Sequence, residues 1–191
     1  KLTVSANYSY DYYDSRNRKS SNLYEFTGDP HTPSSYNRTQ IGKSRSYNHT
    51  HSGGFEASYD IDTLRLVTAS LGIWSNRSRS HNTYTTNATS PLTAAPLYAY
   101  TNSGRSVSDY MYMDGSIDYQ RLFKLPGRML TLSYKLNGGT DRGDYNSAYD
   151  VTEVTDDWRA FMNRLRDERR DDDGRSMEHT LQVDYTMPIA K

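Results

Sequence analysis

The stretch Leu2-Thr3-Val4-Ser5-Ala6-Asn7-Tyr8-Ser9-Tyr10-Asp11-Tyr12 decides the fold. Leu2, Val4, Ala6, Tyr8, Tyr10 and Tyr12 fall on one parity, and Thr3, Ser5, Asn7, Ser9 and Asp11 on the other. Successive side chains of an extended chain point to opposite sides, so this pattern makes a strand with one apolar and one polar face. A helix would scatter the same residues around its circumference.

Five further segments repeat the pattern. His51, Gly53, Phe55, Ala57 and Tyr59 oppose Ser52, Gly54, Glu56 and Ser58. Val67, Ala69, Leu71 and Ile73 oppose Thr68, Ser70 and Gly72. Met111, Met113, Gly115, Ile117 and Tyr119 oppose Tyr112, Asp114, Ser116, Asp118 and Gln120. Leu130, Leu132, Tyr134 and Leu136 oppose Thr131, Ser133, Lys135 and Asn137. Leu181, Val183, Tyr185 and Met187 oppose Thr180, Gln182, Asp184 and Thr186. The expectation is an all-β, antiparallel meander of about six long strands.

The links between these segments alternate in length. Asp60–Thr63 and Leu125–Arg128 read as tight turns, the second with Pro-Gly in the order of a type II turn. Ser15–Arg38, Arg77–Ser106 and Asp141–Arg175 read as long polar loops, into which the strands run as polar extensions at Ser44–Thr50 and Asn76–Thr85. Short turns at one end and long loops at the other, with apolar stripes of about ten residues, are what a partial transmembrane β-barrel with periplasmic turns and outer loops requires. Arg65, Arg121 and Arg128 fall on the apolar parity beside short turns. At a membrane rim such side chains lay their stems along lipid and reach headgroups with the guanidinium. Tyr8, Tyr10, Tyr12, Tyr59, Tyr119 and Tyr185 are candidates for aromatic girdles. Alternation alone does not say what each face meets, so a soluble β-sandwich used for adhesion or carbohydrate binding gives the same pattern.

Composition narrows the field. The 191 residues carry 23 basic and 23 acidic side chains, a net charge of zero, which gives no field to gather nucleic acid. Mean hydropathy is −0.94, yet 13% of residues are aromatic, a pairing foreign to disordered chains. Cysteine is absent, which excludes disulfide scaffolds, thiol nucleophiles and Cys-based zinc sites within the chain. No apolar run reaches the length of a membrane helix. The opening KLTVSANYSY has neither an initiator Met nor a signal peptide, and is read as the start of a mature fragment.

Two stretches carry a family resemblance. Glu178–Lys191, EHTLQVDYTMPIAK, resembles a recurrent strand close to "EHTLQ-DYT-P" in the outer-membrane β-barrel domain of Bacteroidetes TonB-dependent receptors. Gly115–Gly139, GSIDYQRLFKLPGRMLTLSYKLNGG, resembles the hairpin that precedes it there. Together they cover about a fifth of the chain. The resemblance implies a 22-stranded barrel in the bacterial outer membrane, filled by a plug domain and driven through TonB to import a nutrient. Residues 1–191 would then be one segment of a single outer-membrane barrel domain, without the plug. Its partners would be outer-membrane lipid, the rest of the barrel, the plug, TonB through the full-length protein, and an unidentified nutrient. A passive porin-like barrel is the alternative without energy coupling.

No catalytic constellation emerges, and the chain is read as not an enzyme, without cofactor or metal. Asp114 and Asp118 share a polar strand face that would line a lumen. His49 and His51 share the opposite face but lack a third ligand. Asp171-Asp172-Asp173-Gly174 lacks the spacing and closing Glu of a calcium loop and reads as an exposed loop or strand tip. Trp158, Phe161 and Leu165 sit at near-helical spacing and suggest a short amphipathic helix within a loop or over the barrel mouth. Gly138-Gly139 is read as a bulge or bend. Tyr98, Tyr100 and Trp158 are the candidate ligand contacts, because aromatic faces suit sugars and large apolar nutrients.

Overall fold

The computed structural model describes residues 1–25 and 35–188. The rest of the Ser15–Arg38 stretch and the last three residues of Glu178–Lys191 lie outside the described residues. Six strands follow one another: β1 (Leu2–Glu25), β2 (Tyr36–Asp62), β3 (Arg65–Thr89), β4 (Pro96–Leu122), β5 (Met129–Val154) and β6 (Glu168–Thr186), with one helix, α1 (Asp156–Met162), before the last. They form one antiparallel sheet in the order β1-β2-β3-β4-β5-β6, a meander that is all-β and not closed.

Register carries each strand's parity across the whole sheet. Leu2, Tyr59, Val67, Tyr119, Leu132 and Val183 form one row; Val4, Ala57, Ala69, Ile117, Tyr134 and Leu181 form the next. Ala6, Phe55, Leu71, Gly115, Leu136 and His179 follow, then Tyr8, Gly53, Ile73, Met113, Gly138 and Met177. At the same levels the opposite face runs Thr3, Ser58, Thr68, Asp118, Ser133, Gln182; then Ser5, Glu56, Ser70, Ser116, Lys135, Thr180; then Asn7, Gly54, Gly72, Asp114, Asn137, Glu178. That face holds no apolar side chain in these three rows. A slip of one residue between any two strands would mix the faces, so the pattern itself specifies the register.

Nothing in the described residues covers the apolar face. Leu2 is 63% exposed, Tyr8 69%, Val183 68% and Leu181 83%. The buried apolar residues are Ala88, Tyr98 and Met162, and they lie at the far end of the sheet rather than beneath these rows.

The structure corrects several expectations. The polar extensions Ser44–Thr50 and Asn76–Thr85 lie in β2 and β3 as expected, but the described parts of the stretches expected as long loops are also mostly strand. β1 to β5 run 24 to 27 residues each, well over the 9–11 needed to cross a bilayer, so more than half of each stands beyond the apolar rows. The backbone ladder does not depend on hydrophobic contrast, so polar segments extend it as readily as apolar ones. The link between β3 and β4 shrinks to residues 90–95. The first tight turn falls two residues later than expected. Asp62 accepts the Leu64 amide hydrogen bond at 2.9 Å and closes an Asx turn there. Gly138 and Gly139 form no bulge; they stay in register opposite Met113 and Tyr112. What glycine supplies at 139 is clearance, since a Cβ there would sit 3.1 Å from the Met111 carbonyl oxygen. Of the exposed loop or strand tip expected for Asp171–Gly174, the structure gives the strand tip, near the start of β6. The Pro126-Gly127 turn forms as expected: Gly127 has φ +80° and the Arg128 amide donates to the Leu125 carbonyl at 3.1 Å.

Candidate functional site

The rim residues come together at the short-turn end. Arg65 and Arg121 are direct cross-strand partners on the apolar face, and Arg128 follows the next turn. Phe123 sits among them, with the Arg121 guanidinium carbon 5.1 Å and that of Arg128 4.7 Å from its ring centre. Arg128 also donates from Nε to the Tyr185 hydroxyl. Asp62 answers Arg65 at 2.6 Å; among the described residues no carboxylate lies within ion-pair distance of Arg121, Arg128 or Lys124. These groups line a shallow depression of about 570 Å³. It is a cationic, aromatic rim at the edge of the apolar rows.

The tyrosines expected as girdles fall at two borders. Tyr59, Tyr119 and Tyr185 lie at the short-turn edge; Tyr8, Tyr10 and Tyr12 lie at the opposite edge of the apolar zone. His49 and His51 join the second group. The hydroxyls of Tyr10 and Tyr8 bond the Nδ1 atoms of His49 and His51, each at 2.8 Å. The two histidines do share a face, but among the described residues no group of three His, Cys, Asp or Glu side chains is placed to hold a metal.

At the far end a second cluster forms on the polar face. α1 has only seven residues, too short to hold itself. It is pinned by Trp158, Phe161 and Met162 against strand-borne aromatics. Trp158 lies 5.0 Å from both Tyr36 and Tyr98 in ring-centre distance, and Tyr98 stacks at 6.2 Å on Tyr100. Thr155 at the N-cap donates from Oγ1 and from its amide to the Leu97 carbonyl, at 3.1 and 2.9 Å. Tyr98, Tyr100 and Trp158 are thus gathered in one place. Tyr98 is only 3% exposed and serves as the floor of the cluster, whereas Tyr100 and Trp158 are half-buried. Tyr36 donates to the Glu25 carboxylate, and its phenol is held well above the ordinary range, first by burial and then by that hydrogen bond. Burial raises Tyr98 as well. Sequence reasoning missed Tyr36, Ala88 and Met162, which lie in polar surroundings with no local periodicity to mark them. Asp114 and Asp118 stand on the polar face at the level of the apolar rows, Asp118 accepting from the Ser116 hydroxyl at 3.4 Å.

No known family and no curated protein matches the chain. Among solved structures, a similar chain is the ferric yersiniabactin uptake receptor FyuA from Yersinia pestis, at 8% identity and a TM-score of 0.21, over 79% of this chain and 26% of the receptor. The chain therefore spans about a quarter of that receptor's length. A likeness that faint says nothing of what this chain does. No helix among the described residues is long and apolar enough to cross a membrane, which leaves crossing by strands open.

Proposed function

We propose that the chain is a wall segment of a bacterial outer-membrane β-barrel, in a receptor of the TonB-dependent kind that binds a nutrient outside and imports it. One observation carries the membrane part of this reading. Apolar rows cross all six strands on one uncovered face, tyrosines stand at both borders, and the other face is polar at the same height. From the Arg121–Leu130–Tyr185 row to the Tyr10–His51 row is ten residue steps. At ~3.3 Å per residue and a tilt of ~40°, that is ~25 Å, the height of the apolar band on outer-membrane barrels.

The alternative of a soluble sandwich needs a second sheet over these rows, and the described residues form one layer. Among the described residues β1 and β6 have no strand on their outer edges, which is costly in hydrocarbon, so the remaining barrel wall is the natural partner on both sides. Energy coupling and the plug rest on the resemblance of Gly115–Gly139 and Glu178–Lys191, whose described residues include the turn-side parts of β4, β5 and β6. In this reading Arg65, Arg121 and Arg128 face the inner-leaflet headgroups. The cap of α1 over Tyr98, Tyr100 and Trp158 stands on the lumen side of the outer mouth, where an incoming nutrient passes.

Two measurements on the full-length protein test this. Density-gradient fractionation of cell envelopes should place it with the outer membrane, released only by detergent; recovery in the aqueous fraction refutes the membrane reading. Uptake of a nutrient panel should then collapse when a protonophore discharges the inner membrane. Undiminished uptake would assign the passive porin-like alternative.

A further inference from the structure

The outward face changes character above the apolar band. Arg16 pairs directly across the ladder with Arg45, and Arg18 with Lys43. The Arg16 row continues through Arg45 and His81 to Arg105, and Arg79 lies one row closer to the band, opposite Tyr47. Like charges set directly opposite on neighbouring strands destabilise a sheet. Among the described residues, Arg45 is the one of these six cations with a carboxylate within ion-pair distance, Asp14, which it grips at 2.9 and 3.2 Å. Arg16, Arg18, Lys43, Arg79 and Arg105 are exposed. Such a cluster is relieved when an external polyanion binds it.

Its height selects the anion. The Arg16 row lies six residues beyond the Tyr10 row, and the patch as a whole extends from four to eight residues beyond it. By the same rise and tilt, that places the cations ~10–20 Å above the hydrocarbon. A phospholipid headgroup layer is only about 5–8 Å deep on each side of the bilayer, so its phosphates do not reach most of the patch. The patch also shares the face of the apolar rows, so it looks away from the lumen and toward the molecules that surround the barrel.

We propose that Arg16, Arg18, Lys43, Arg45, Arg79 and Arg105 bind the phosphate groups of a glycolipid whose phosphorylated saccharide headgroup rises from the outer leaflet. Planar guanidinium groups engage phosphate oxygens in pairs, which suits five arginines to this ligand better than five lysines would. The inference rests on the membrane reading above.

The test uses the full-length protein in detergent, with native mass spectrometry counting retained ligands. The probes are a phosphorylated lipid A–core glycolipid, the same glycolipid after enzymatic dephosphorylation, phosphatidylglycerol, and inorganic phosphate. The combined variant Arg16→Gln, Lys43→Gln, Arg105→Gln should lose retention of the phosphorylated glycolipid roughly tenfold or more. The control Arg65→Gln, Arg121→Gln, Arg128→Gln removes equal charge at the other rim and should keep it. Dephosphorylated glycolipid should bind roughly tenfold more weakly to the wild type. Unchanged heat-modified electrophoretic mobility verifies that the variants fold, and the lysine version at positions 16 and 105 should recover most retention. Equal loss in both triple variants, no loss in either, or equal competition by phosphatidylglycerol or inorganic phosphate overturns the proposal while leaving the membrane reading intact. A wild-type protein that partitions into water defeats both.

Discussion

Trp158 is the residue on which the aromatic cluster around α1 turns. It touches Tyr36, Tyr98 and Phe161 and, with Phe161 and Met162, holds a helix too short to hold itself. Trp158→Ala should cost about 2 kcal/mol locally, half of a fully buried large-to-small change because the indole is half-buried. Amide hydrogen exchange within Asp156–Met162 should rise sharply while β1 to β6 keep their protection; protection unchanged in α1 would contradict the packing described. Tyr36 gives the cluster a pH signature. Its phenol binds a proton more tightly in the folded protein than the ordinary 10 allows. Stability from this group is therefore fully present below pH ~10 and is lost as the pH climbs toward the folded value. Trp158 fluorescence should accordingly stay flat from neutral pH to about 9.5 and change only above it, and Tyr36→Phe should remove that alkaline step.

The turn between β4 and β5 depends on a single backbone angle. With φ at +80°, Gly127 occupies a conformation that a β-branched side chain resists. Gly127→Val should destabilise the hairpin by about 1–2 kcal/mol, read as a lower urea midpoint for refolding, whereas Pro126→Ala should matter less. This turn was legible because Pro-Gly is a direct statement of backbone geometry. The six apolar stripes were legible for a similar reason, since hydrophobic contrast with period two has one physical reading. The upper halves of the strands were legible only in part: the extensions Ser44–Thr50 and Asn76–Thr85 fall in β2 and β3 as expected, whereas residues 15–25, 96–106 and 141–154 read as loop and are strand. In Ser44-Arg45-Ser46-Tyr47-Asn48-His49 and Arg77-Ser78-Arg79-Ser80-His81-Asn82 both faces are polar, so hydropathy shows nothing. The residues there alternate small and large instead: serine and asparagine on the parity of the polar face, arginine, tyrosine and histidine on that of the apolar rows. Side-chain size at period two, rather than hydropathy, is the signal that marks such extensions as strand.

At the scale of the whole molecule, the described residues form one open sheet with an uncovered apolar face and β1 and β6 at its edges. Among the described residues the buried apolar side chains are confined to the cluster around α1, so burial there cannot offset the entropy of ordering six long strands. Expressed alone, the chain should be recovered aggregated or bound to detergent, and a soluble, monomeric, cooperatively folded chain would argue for a different partner for its apolar rows.

The sharpest test asks what each face touches. The chain has no cysteine, so single introduced cysteines at Leu71, Ile117 and Leu181, and at Ser70, Ser116 and Thr180, label one face at a time. With nitroxides on the full-length protein in bilayers, power-saturation spectroscopy compares collisions with oxygen, concentrated in lipid, against a water-soluble nickel chelate. Positions 71, 117 and 181 should be accessible to oxygen and shielded from nickel, and positions 70, 116 and 180 the reverse. Shielding of 71, 117 and 181 from both reagents would place protein over those rows and contradict the account.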